Sequence, residues 1–348
     1  MRWENLSAPP DEGHPDGPAP ATPPLPLALP GAVARTFDTP GFAGMTFYEV
    51  RAKSIINRVP GTSQVPFEWT INPYRGCSHA CKYCFARNTH TYLDLDAGAD
   101  FDRKVIVKVN AGELVRRELA APRWRGAHVA MGTNVDCYQR AEGRYRLMPP
   151  IIEALRDFAN PFSILTKGTL ILRDLPLLRQ AAAVTRVGVS YSVGFVDEAL
   201  WRTVEPGTPS PRRRLDAVRQ LTDAGFDVGV LMAPILPGLS DSDESIEATV
   251  SAIAAAGATS VTPLALHLRP GAREWYAHWL AREYPHLVPR YRQLYRAGAY
   301  APQAYQRELT ARVRMAARRH GLHRAEGGDQ RRQPQASPPP AAEQLSLL

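Results

Sequence analysis

Three of the four cysteines in this 348-residue chain lie in the stretch RGCSHACKYCFAR, residues 75–87. Cys77, Cys81 and Cys84 have the spacing C-x3-C-x2-C. Thiolates are soft ligands that suit zinc and iron–sulfur clusters. Three of them leave one position without a cysteine, either the fourth ligand of a tetrahedral zinc or the fourth iron of a [4Fe–4S] cluster. The spacing therefore predicts a metal centre.

Three interpretations of this triplet remain open from the residues alone. A structural zinc would take a fourth ligand, for which His79 and His90 are the nearby candidates. Alternatively, the cysteines are a chance group of buried residues. An iron–sulfur cluster with one open iron agrees with both the spacing and a reducing compartment, because four cysteines do not make a disulfide framework in a chain of this length.

The rest of the composition indicates a cytoplasmic protein. The N-terminus, MRWENLSAPPDEGHPDG, lacks the basic region and apolar run of a secretory signal. No stretch approaches the roughly 20 apolar residues of a membrane span. Lys and Arg (42) exceed Asp and Glu (34), which gives a net charge of +8. This surplus permits an anionic partner such as nucleic acid, and it is equally expected of an arginine-rich solvated surface.

The sequence contains six short apolar runs. The first is followed by the cysteine stretch and each of the other five by a helical pattern, which predicts an α/β fold. Near-continuous apolar strands are typical of a parallel sheet covered on both faces. Repeated right-handed strand–helix units close into a barrel or spread into an open sheet. The predicted strands are FEWTIN (67–72), HVAMG (128–132), FSILT (162–166), RVGVSYS (186–192), DVGVLMAPI (227–235) and SVTPLAL (260–266).

The cysteines directly follow the first of these strands, at the strand end where parallel sheets build their sites. The run KVIVKVN (104–110) is an extra strand without a place in the series. Ser240 or Asp241 is expected to cap the helix that ends at Gly257.

Composition divides the chain into four parts. Residues 1–40 contain ten prolines, and residues 323–348 are similarly biased. Neither segment can bury enough apolar surface to offset its ordering entropy, so both are predicted to be disordered. Residues 41–270 are predicted to form the strand–helix domain, and residues 271–322 a helical extension packed against its outside.

The motif C-x3-C-x-aromatic-C, with Tyr83 as the aromatic residue, resembles the signature of the radical S-adenosylmethionine (SAM) superfamily. The likeness covers about residues 41–320 and implies a partial (β/α)6 TIM-like barrel with a C-terminal helical extension. NPYRGCSHACKYCFAR, MGTNVDCYQRAEGRYRLMP, ILTKGTLILRDLPLL and VEPGTPSPRRRLDAVRQLTDAG are similar to the spore photoproduct lyase-like or "DNA repair photolyase" branch, in particular to an uncharacterised mycobacterial-type subgroup.

The resemblance implies two cofactors and a radical reaction. In this family three cysteines hold a [4Fe–4S] cluster, and its open iron binds the amino and carboxylate groups of SAM. One electron, from a donor such as flavodoxin or ferredoxin, then cleaves SAM to methionine and a 5′-deoxyadenosyl radical that abstracts hydrogen from a substrate. The implied SAM contacts are Gly132, Thr133 and Asn134 for the amino group, and Lys167 and Arg214 (or Arg212 or Arg213 in another register) for the carboxylate. Ser190 is implied for the same carboxylate or for the ribose, Glu205 for the ribose or adenosine, and Tyr83 for the adenine.

One position departs from the family pattern. Relatives commonly read DPYQ where this chain has Asp136-Cys137-Tyr138-Gln139, which makes Cys137 a weak candidate for a catalytic residue. The departure weighs against repair of a thymine lesion in DNA, the substrate implied by the lyase branch. A zinc- and nucleic-acid-binding protein without catalysis is the remaining alternative. Further candidates to face a substrate are Asp136, Tyr138, Gln139 and Glu142, with His267 and Arg269 at the rim of the same mouth.

Overall fold

All six predicted strand segments form strands of one seven-stranded sheet. The computed structural model describes residues 29, 31–60 and 65–322. In chain order its strands are β1 (Val33–Arg35), β2 (Thr46–Val50), β3 (Ile56–Arg58), β4 (Trp69–Ile71), β5 (Tyr74–Arg75), β6 (Lys104–Lys108), β7 (Val129–Met131), β8 (Phe162–Thr166), β9 (Val187–Ser192), β10 (Val228–Ile235) and β11 (Ser260–Ala265).

The large sheet has the order β11-β10-β9-β8-β7-β4-β3. Its first six strands run parallel to one another, and β3 pairs antiparallel with β4 at one edge. Within the described residues β11 is the opposite edge, so no ladder of hydrogen bonds closes the barrel. The predicted partial (β/α)6 TIM-like barrel is therefore confirmed.

Burial on both faces explains why these segments are near-continuous apolar runs. All three residues of β7 are buried, and six of the eight residues of β10 are buried. The main core combines these strands with the inner faces of the helices that follow them. Because side chains of a strand alternate between the two faces, a strand covered on both sides cannot alternate apolar with polar residues.

A helix follows each strand from β7 to β11. The helices are α1 (Ala99–Arg103), α2 (Ala111–Leu119), α3 (Arg140–Tyr145), α4 (Met148–Asp157), α5 (Leu175–Ala182), α6 (Glu198–Val204), α7 (Pro211–Asp223), α8 (Asp243–Ala255), α9 (Ala272–Glu283), α10 (Val288–Leu294) and α11 (Gln303–Arg319), with 3-10 turns at Pro40–Phe42, Phe85–Leu93, Thr169–Asp174 and Pro285–Leu287.

The predicted cap of α8 is wrong. Ser242 caps this helix, since its hydroxyl accepts a hydrogen bond from the Ser245 amide at 3.1 Å. Ser240 and Asp241 are instead used in the preceding loop. Ser240 accepts from the Leu236 amide at 2.8 Å, and Asp241 from the Gly238 amide at 2.6 Å.

The extra strand KVIVKVN belongs to a second, four-stranded sheet of order β1-β2-β6-β5. There β6 pairs parallel with β2 and antiparallel with β5. The chain therefore leaves β4, enters β5 and only then reaches Cys77. The small sheet thus sets where the cysteine stretch begins.

The structure bears on only part of the predicted disorder at the two ends of the chain. Disorder up to residue 40 is wrong for Val33–Arg35, which forms β1 and pairs with β2. The predicted disorder of residues 1–28 and 323–348 lies outside the described residues.

The C-terminal helices share a second core, which contains Cys81 and Tyr83 beside the aromatic residues of α9 and α10. Asp241, in the loop after β10, ties this part to the barrel. Its carboxylate accepts from Arg290 of α10 at 2.7 Å and from the Tyr305 hydroxyl of α11 at 2.8 Å. The helical extension is therefore anchored at the same end of the sheet as the cysteines.

Replacement of Ser242 by Ala tests the corrected cap. Loss of the hydroxyl leaves the Ser245 amide without its partner, so the free energy of unfolding is expected to fall by about 1 kcal/mol in a urea titration. Ser242→Asp keeps a capping oxygen and is the matched control, expected to unfold like the wild type. Equal stability of all three proteins would contradict the assignment.

Candidate active site

The three motif cysteines lie on a loop that two tight turns shape. The Ala80 amide donates to the Cys77 carbonyl at 3.2 Å, and the Cys84 amide donates to the Cys81 carbonyl at 3.2 Å. The Cys77 amide is bound by the Phe101 carbonyl at 2.9 Å. Cys77 and Cys81 are buried and Cys84 is half-buried. The loop therefore places all three thiols largely out of solvent.

Burial raises the pKa of each thiol, to about 12 for Cys81. For Cys77 the Asp136 carboxylate and the two neighbouring thiols add to the rise, so the sulfurs share one poorly solvated environment. The Cys81 sulfur makes a weak hydrogen bond of 3.9 Å to the His79 carbonyl oxygen. A metal centre supplies the positive charge that makes buried thiolates favourable and releases their protons. This soft donor set fits an iron–sulfur cluster.

The two histidines near the motif are engaged with the protein. Nε2 of His90 lies 2.8 Å from the Lys104 carbonyl, to which it donates. Nδ1 of His79 lies 3.4 Å from the Asp136 carboxylate, and burial lowers the His79 pKa to about 4 although Asp136 opposes the change. Across residues 29, 31–60 and 65–322, no three His, Cys, Asp or Glu side chains are arranged to hold a single metal ion.

Gln139 holds the start of the loop. Its side-chain oxygen accepts from the Ser78 amide at 2.9 Å, and its side-chain nitrogen donates to the Gly76 carbonyl at 2.9 Å. Gly76 has a φ of 83°, and a Cβ there would meet the Lys104 carbonyl at 2.8 Å. Both the conformation and the space therefore favour glycine before Cys77.

The stretch EPGTP, residues 205–209, closes over the other side of the loop. The Lys82 amide donates to the Val204 carbonyl at 2.9 Å, and the Gly207 amide donates to the His79 carbonyl at 3.1 Å. A Cβ on Gly207 would lie 2.0 Å from the Ser78 carbonyl oxygen. Only a glycine allows this close approach of two backbones.

Asp136 joins the loop to the ends of β7 and β8. Its carboxylate accepts from the Thr166 hydroxyl at 2.7 Å, the Lys167 amide at 2.7 Å and the Tyr138 amide at 2.9 Å. The same carboxylate faces His79. Asp136 is therefore a structural junction and not a side chain that faces a substrate.

Tyr83, Glu205 and Arg214 form one buried network. The Tyr83 hydroxyl and the Arg214 guanidinium both bind the Glu205 carboxylate. Arg214 also donates to the Ser192 carbonyl at 2.9 Å and to the Pro209 carbonyl at 3.0 Å. Burial favours neutral Glu205, but the charges of Arg214 and Lys167 and the two hydrogen bonds outweigh it, so the Glu205 pKa is lowered.

Arg214 is the buried member of its arginine triplet, whereas Arg212 and Arg213 are exposed. Burial therefore separates Arg214 from the other two arginines and places it beside Glu205. Since Glu205 and Arg214 are 0% and 1% exposed, each depends on the other for charge compensation.

Lys167 lies beside this network at the end of β8 and is half-buried. Its ammonium donates to the Ser192 hydroxyl at 2.8 Å and lies 5.8 Å from the centre of the Tyr83 ring. Ser192, which the sequence analysis missed, thus contacts Lys167 by its side chain and Arg214 by its carbonyl. Ser190, two residues earlier on β9, is half-buried and makes no side-chain hydrogen bond within the described residues.

Gly132, Thr133 and Asn134 are half-buried at the end of β7. Gly132 has a φ of 74°, and a Cβ there would lie 1.8 Å from the Leu165 carbonyl oxygen of β8. The backbone after β7 therefore passes directly against β8, at the edge of the sheet where Lys167 and the cysteine loop also lie.

Comparison with known proteins identifies the family. Residues 71–250 match the model of the radical SAM superfamily. The chain belongs to the radical SAM superfamily. It is 52% identical over 290 residues to Rv2578c, an uncharacterized protein of Mycobacterium tuberculosis. The aligned region covers 82% of this chain and 85% of that protein. It is 29% identical over 195 residues to the uncharacterized protein MJ0683 of Methanocaldococcus jannaschii. This aligned region covers 56% of this chain and 69% of that protein.

Solved structures show the same fold. A spore photoproduct lyase complexed with dinucleoside spore photoproduct has a TM-score of 0.59 at 14% identity, covering 80% of each chain. A mutant of spore photoproduct lyase also has a TM-score of 0.59, at 16% identity over 79% of each chain. These structures share the fold of this chain, and the match to Rv2578c confirms the predicted resemblance to a mycobacterial-type subgroup. Every helix in the described part of the chain is too short or too polar to cross a bilayer.

Three predicted substrate-facing residues of this radical SAM protein have structural roles instead. Gln139 binds the cysteine loop, and Tyr138 donates to Asp174 at 3.1 Å. Glu142 is 0% exposed and accepts from the Tyr74 hydroxyl at 2.6 Å. They lie just past a strand end but point into the core, a direction that sequence spacing does not reveal.

Cys137 is fully buried in the main core. Burial raises its pKa well above the ordinary value, and the Asp136 and Glu142 carboxylates add to this. His267 and Arg269, the predicted rim residues, both lie against aromatic rings. His267 stacks on Tyr300 at 5.6 Å, and Arg269 lies 5.5 Å from the ring of Phe85, the residue after Cys84.

Replacement of Gly207 by Ala tests the contact between EPGTP and the cysteine loop. The added methyl group collides with the Ser78 carbonyl, so the free energy of unfolding is expected to fall by roughly 1–3 kcal/mol. Alkylation of the buried cysteines, followed by mass spectrometry, is expected to become faster.

Gly143→Ala is the matched control, since its Cβ meets nothing nearer than the Leu170 side chain at 3.7 Å and lies within α3. It is expected to leave both measurements unchanged or to raise stability slightly. Equal alkylation rates in both variants would contradict the proposed contact.

Proposed function

We propose that this chain is a radical SAM enzyme in which Cys77, Cys81 and Cys84 hold a [4Fe–4S] cluster. The observation that carries this proposal is the buried cysteine loop that follows β4 and β5, in a chain that belongs to this superfamily. When bound, the cluster supplies the electron that cleaves SAM into methionine and a 5′-deoxyadenosyl radical, which abstracts hydrogen from the substrate. An electron donor such as flavodoxin or ferredoxin is the required partner.

The protein's own part is to bind and orient SAM and to exclude water. Lys167 is the best candidate to pair with the SAM carboxylate, because within residues 29, 31–60 and 65–322 its ammonium makes one hydrogen bond, to the neutral Ser192 hydroxyl. Arg214 has its donors committed to Glu205, Ser192 and Pro209, so its charge stabilises Glu205 first. The proposal therefore assigns Arg214 mainly to positioning.

Glu205 and Tyr83 complete the side of the site next to the cysteines. The positive charges around Glu205 lower its pKa and favour its ionised form. Its carboxylate accepts the Tyr83 hydroxyl and so orients the ring of Tyr83, which lies between Cys81 and Cys84 in the sequence. We propose that this pair contacts the ribose and the adenine of SAM. The Gly132–Asn134 carbonyls are proposed to contact the SAM amino group. Ser190 is retained as a candidate contact for the carboxylate or ribose.

Anaerobic reconstitution with iron and sulfide tests the proposal. The wild type is expected to bind both, to acquire brown iron–sulfur absorbance and, with dithionite, to convert SAM to 5′-deoxyadenosine. Cys77→Ala, Cys81→Ala and Cys84→Ala are each expected to abolish iron uptake. Cys137→Ala is the control for cysteine loss and is expected to keep it, as Cys137 lies outside the motif.

The same experiment separates the alternatives. Zinc without iron would favour a non-catalytic zinc- and nucleic-acid-binding protein. A cluster that never yields 5′-deoxyadenosine would overturn the enzymatic proposal.

Lys167→Met tests the assigned SAM contact. Loss of a charge-assisted hydrogen bond is expected to weaken SAM binding by about tenfold or more, measured as Kd by anaerobic equilibrium dialysis. Lys53→Met removes the same charge from an exposed position and is the control. An unchanged Kd in Lys167→Met, with iron content equal to the wild type, would exclude Lys167 from the site.

Repair of a thymine lesion in DNA is the second candidate function. It is favoured by the net charge of +8 and by the fold shared with spore photoproduct lyase. A lesion in a duplex would have to be flipped out to reach the radical. Salt-sensitive DNA binding together with turnover of a dinucleotide photoproduct would support it. Formation of 5′-deoxyadenosine without lesion reversal would exclude it.

A further inference from the structure

Arg87 is a completely buried cation that the site described so far does not use. It lies three residues after Cys84, and its side chain is 0% exposed. Its guanidinium lies 5.2 Å from the Phe101 ring centre and 4.9 Å from the Trp275 ring centre. A buried charge is costly unless it is paired and fully hydrogen-bonded, so its retention requires specific partners.

Within the described residues, its hydrogen-bond partners all belong to the cysteine loop or to the segment around α1. Nε and Nη2 donate to the Cys81 carbonyl at 3.2 and 2.9 Å. Nη1 donates to the Gly98 carbonyl at 2.7 Å, and Nη2 binds both oxygens of Asp102 at 2.7 and 3.0 Å. Arg87 therefore ties the second cysteine to residues that are remote in sequence.

The segment around α1 also holds the other end of the loop. The Phe101 carbonyl accepts the Cys77 amide at 2.9 Å, one residue before Asp102. Residues 101 and 102 thus fix Cys77 directly and Cys81 through Arg87. A rigid frame of this kind sets the spacing between the thiols before any metal centre is bound.

The charges of the pair lie against the cysteine loop. Arg87 contacts the Cys81 backbone directly, and Asp102 is the carboxylate bound to Arg87, with its side chain 12% exposed. In such an environment fixed charges interact strongly with a redox centre, because little solvent screens them. Reduction potentials of iron–sulfur clusters depend on nearby charge and hydrogen bonding.

We infer that Arg87 and Asp102 are positioning residues that frame the cysteine loop and set the reduction potential of the cluster through their opposite charges. This inference rests on the proposed function, because it requires that the three cysteines bind a cluster. It predicts opposite electrical effects from two substitutions that break the same ion pair. Loss of the cation disfavours the reduced cluster, whereas loss of the anion favours it.

The test measures the midpoint potential of the reconstituted cluster by EPR-monitored titration without SAM, at pH 8. Burial raises the Asp102 pKa while Arg87 and Lys82 oppose the rise, so an alkaline pH ensures that Asp102 is ionised. Arg87→Gln is expected to shift the potential to a more negative value. Asp102→Asn is expected to shift it to a more positive value. Damage to the fold alone gives no reason for opposite signs.

Two more variants separate geometry from charge. Arg87→Lys keeps the cation but loses the five-donor fork, so its potential is expected to stay near that of the wild type while iron affinity falls by about 10- to 100-fold. Arg312→Gln is the control. Arg312, on α11, likewise donates both to a carboxylate (Asp243) and to a backbone carbonyl (Asp241). This variant is expected to lower Tm without changing iron content or potential.

Opposite shifts in Arg87→Gln and Asp102→Asn support the inference. If Arg87→Gln folds but binds no iron while Arg312→Gln does, the framing role is supported. The electrical role is then decided by the midpoint potentials of the other two variants, since Asp102→Asn is expected to have a more positive potential than Arg87→Lys. Shifts of the same sign, or none, with normal iron content in all variants overturn it. Failure of the wild type itself to bind iron and sulfide would instead overturn the proposed function.

Discussion

The site depends on burying three thiols in a loop that would not keep its shape alone. Successive turns bring the cysteines together, but burial and mutual repulsion disfavour their thiolate forms. The backbone of the loop is therefore held by hydrogen bonds from three other segments, to the backbones of Phe101 and Gly207 and to the side chain of Gln139. Each contact fixes one part of the loop, so the donor set is organised by the fold around it and not by the motif itself.

Charge compensation follows the same logic. The described residues include two deeply buried arginines next to the loop, Arg87 and Arg214, and each is paired with a carboxylate and several carbonyl oxygens. A buried pair contributes little net stability compared with an apolar replacement, yet removal of one member leaves an uncompensated charge. These pairs are therefore better explained by the electrostatics they impose on the site. Lys167, which donates to the neutral Ser192 hydroxyl, is the cation that we propose for the SAM carboxylate.

The architecture brings these parts to one end of the sheet. Strands β4, β7, β8 and β9 are parallel, so the residues that follow them meet at their carboxyl ends. The helical extension is anchored at that end through Asp241, and its aromatic core includes Cys81 and Tyr83. The second sheet, through β5 and β6, sets where the cysteine stretch starts. One end of the molecule thus carries the cysteines, the buried network and the predicted rim residues His267 and Arg269.

The sequence by itself determined the six parallel strands, the family and the three cysteines, because apolar runs and a fixed thiol spacing are local patterns. It could not determine that KVIVKVN joins a separate sheet, that Ser192 links Lys167 to Arg214, or that Gln139 points into the core. These facts depend on strand pairing and side-chain direction between segments far apart in the chain. Long-range contacts of this kind leave no local period or spacing, so only the tertiary structure decided them.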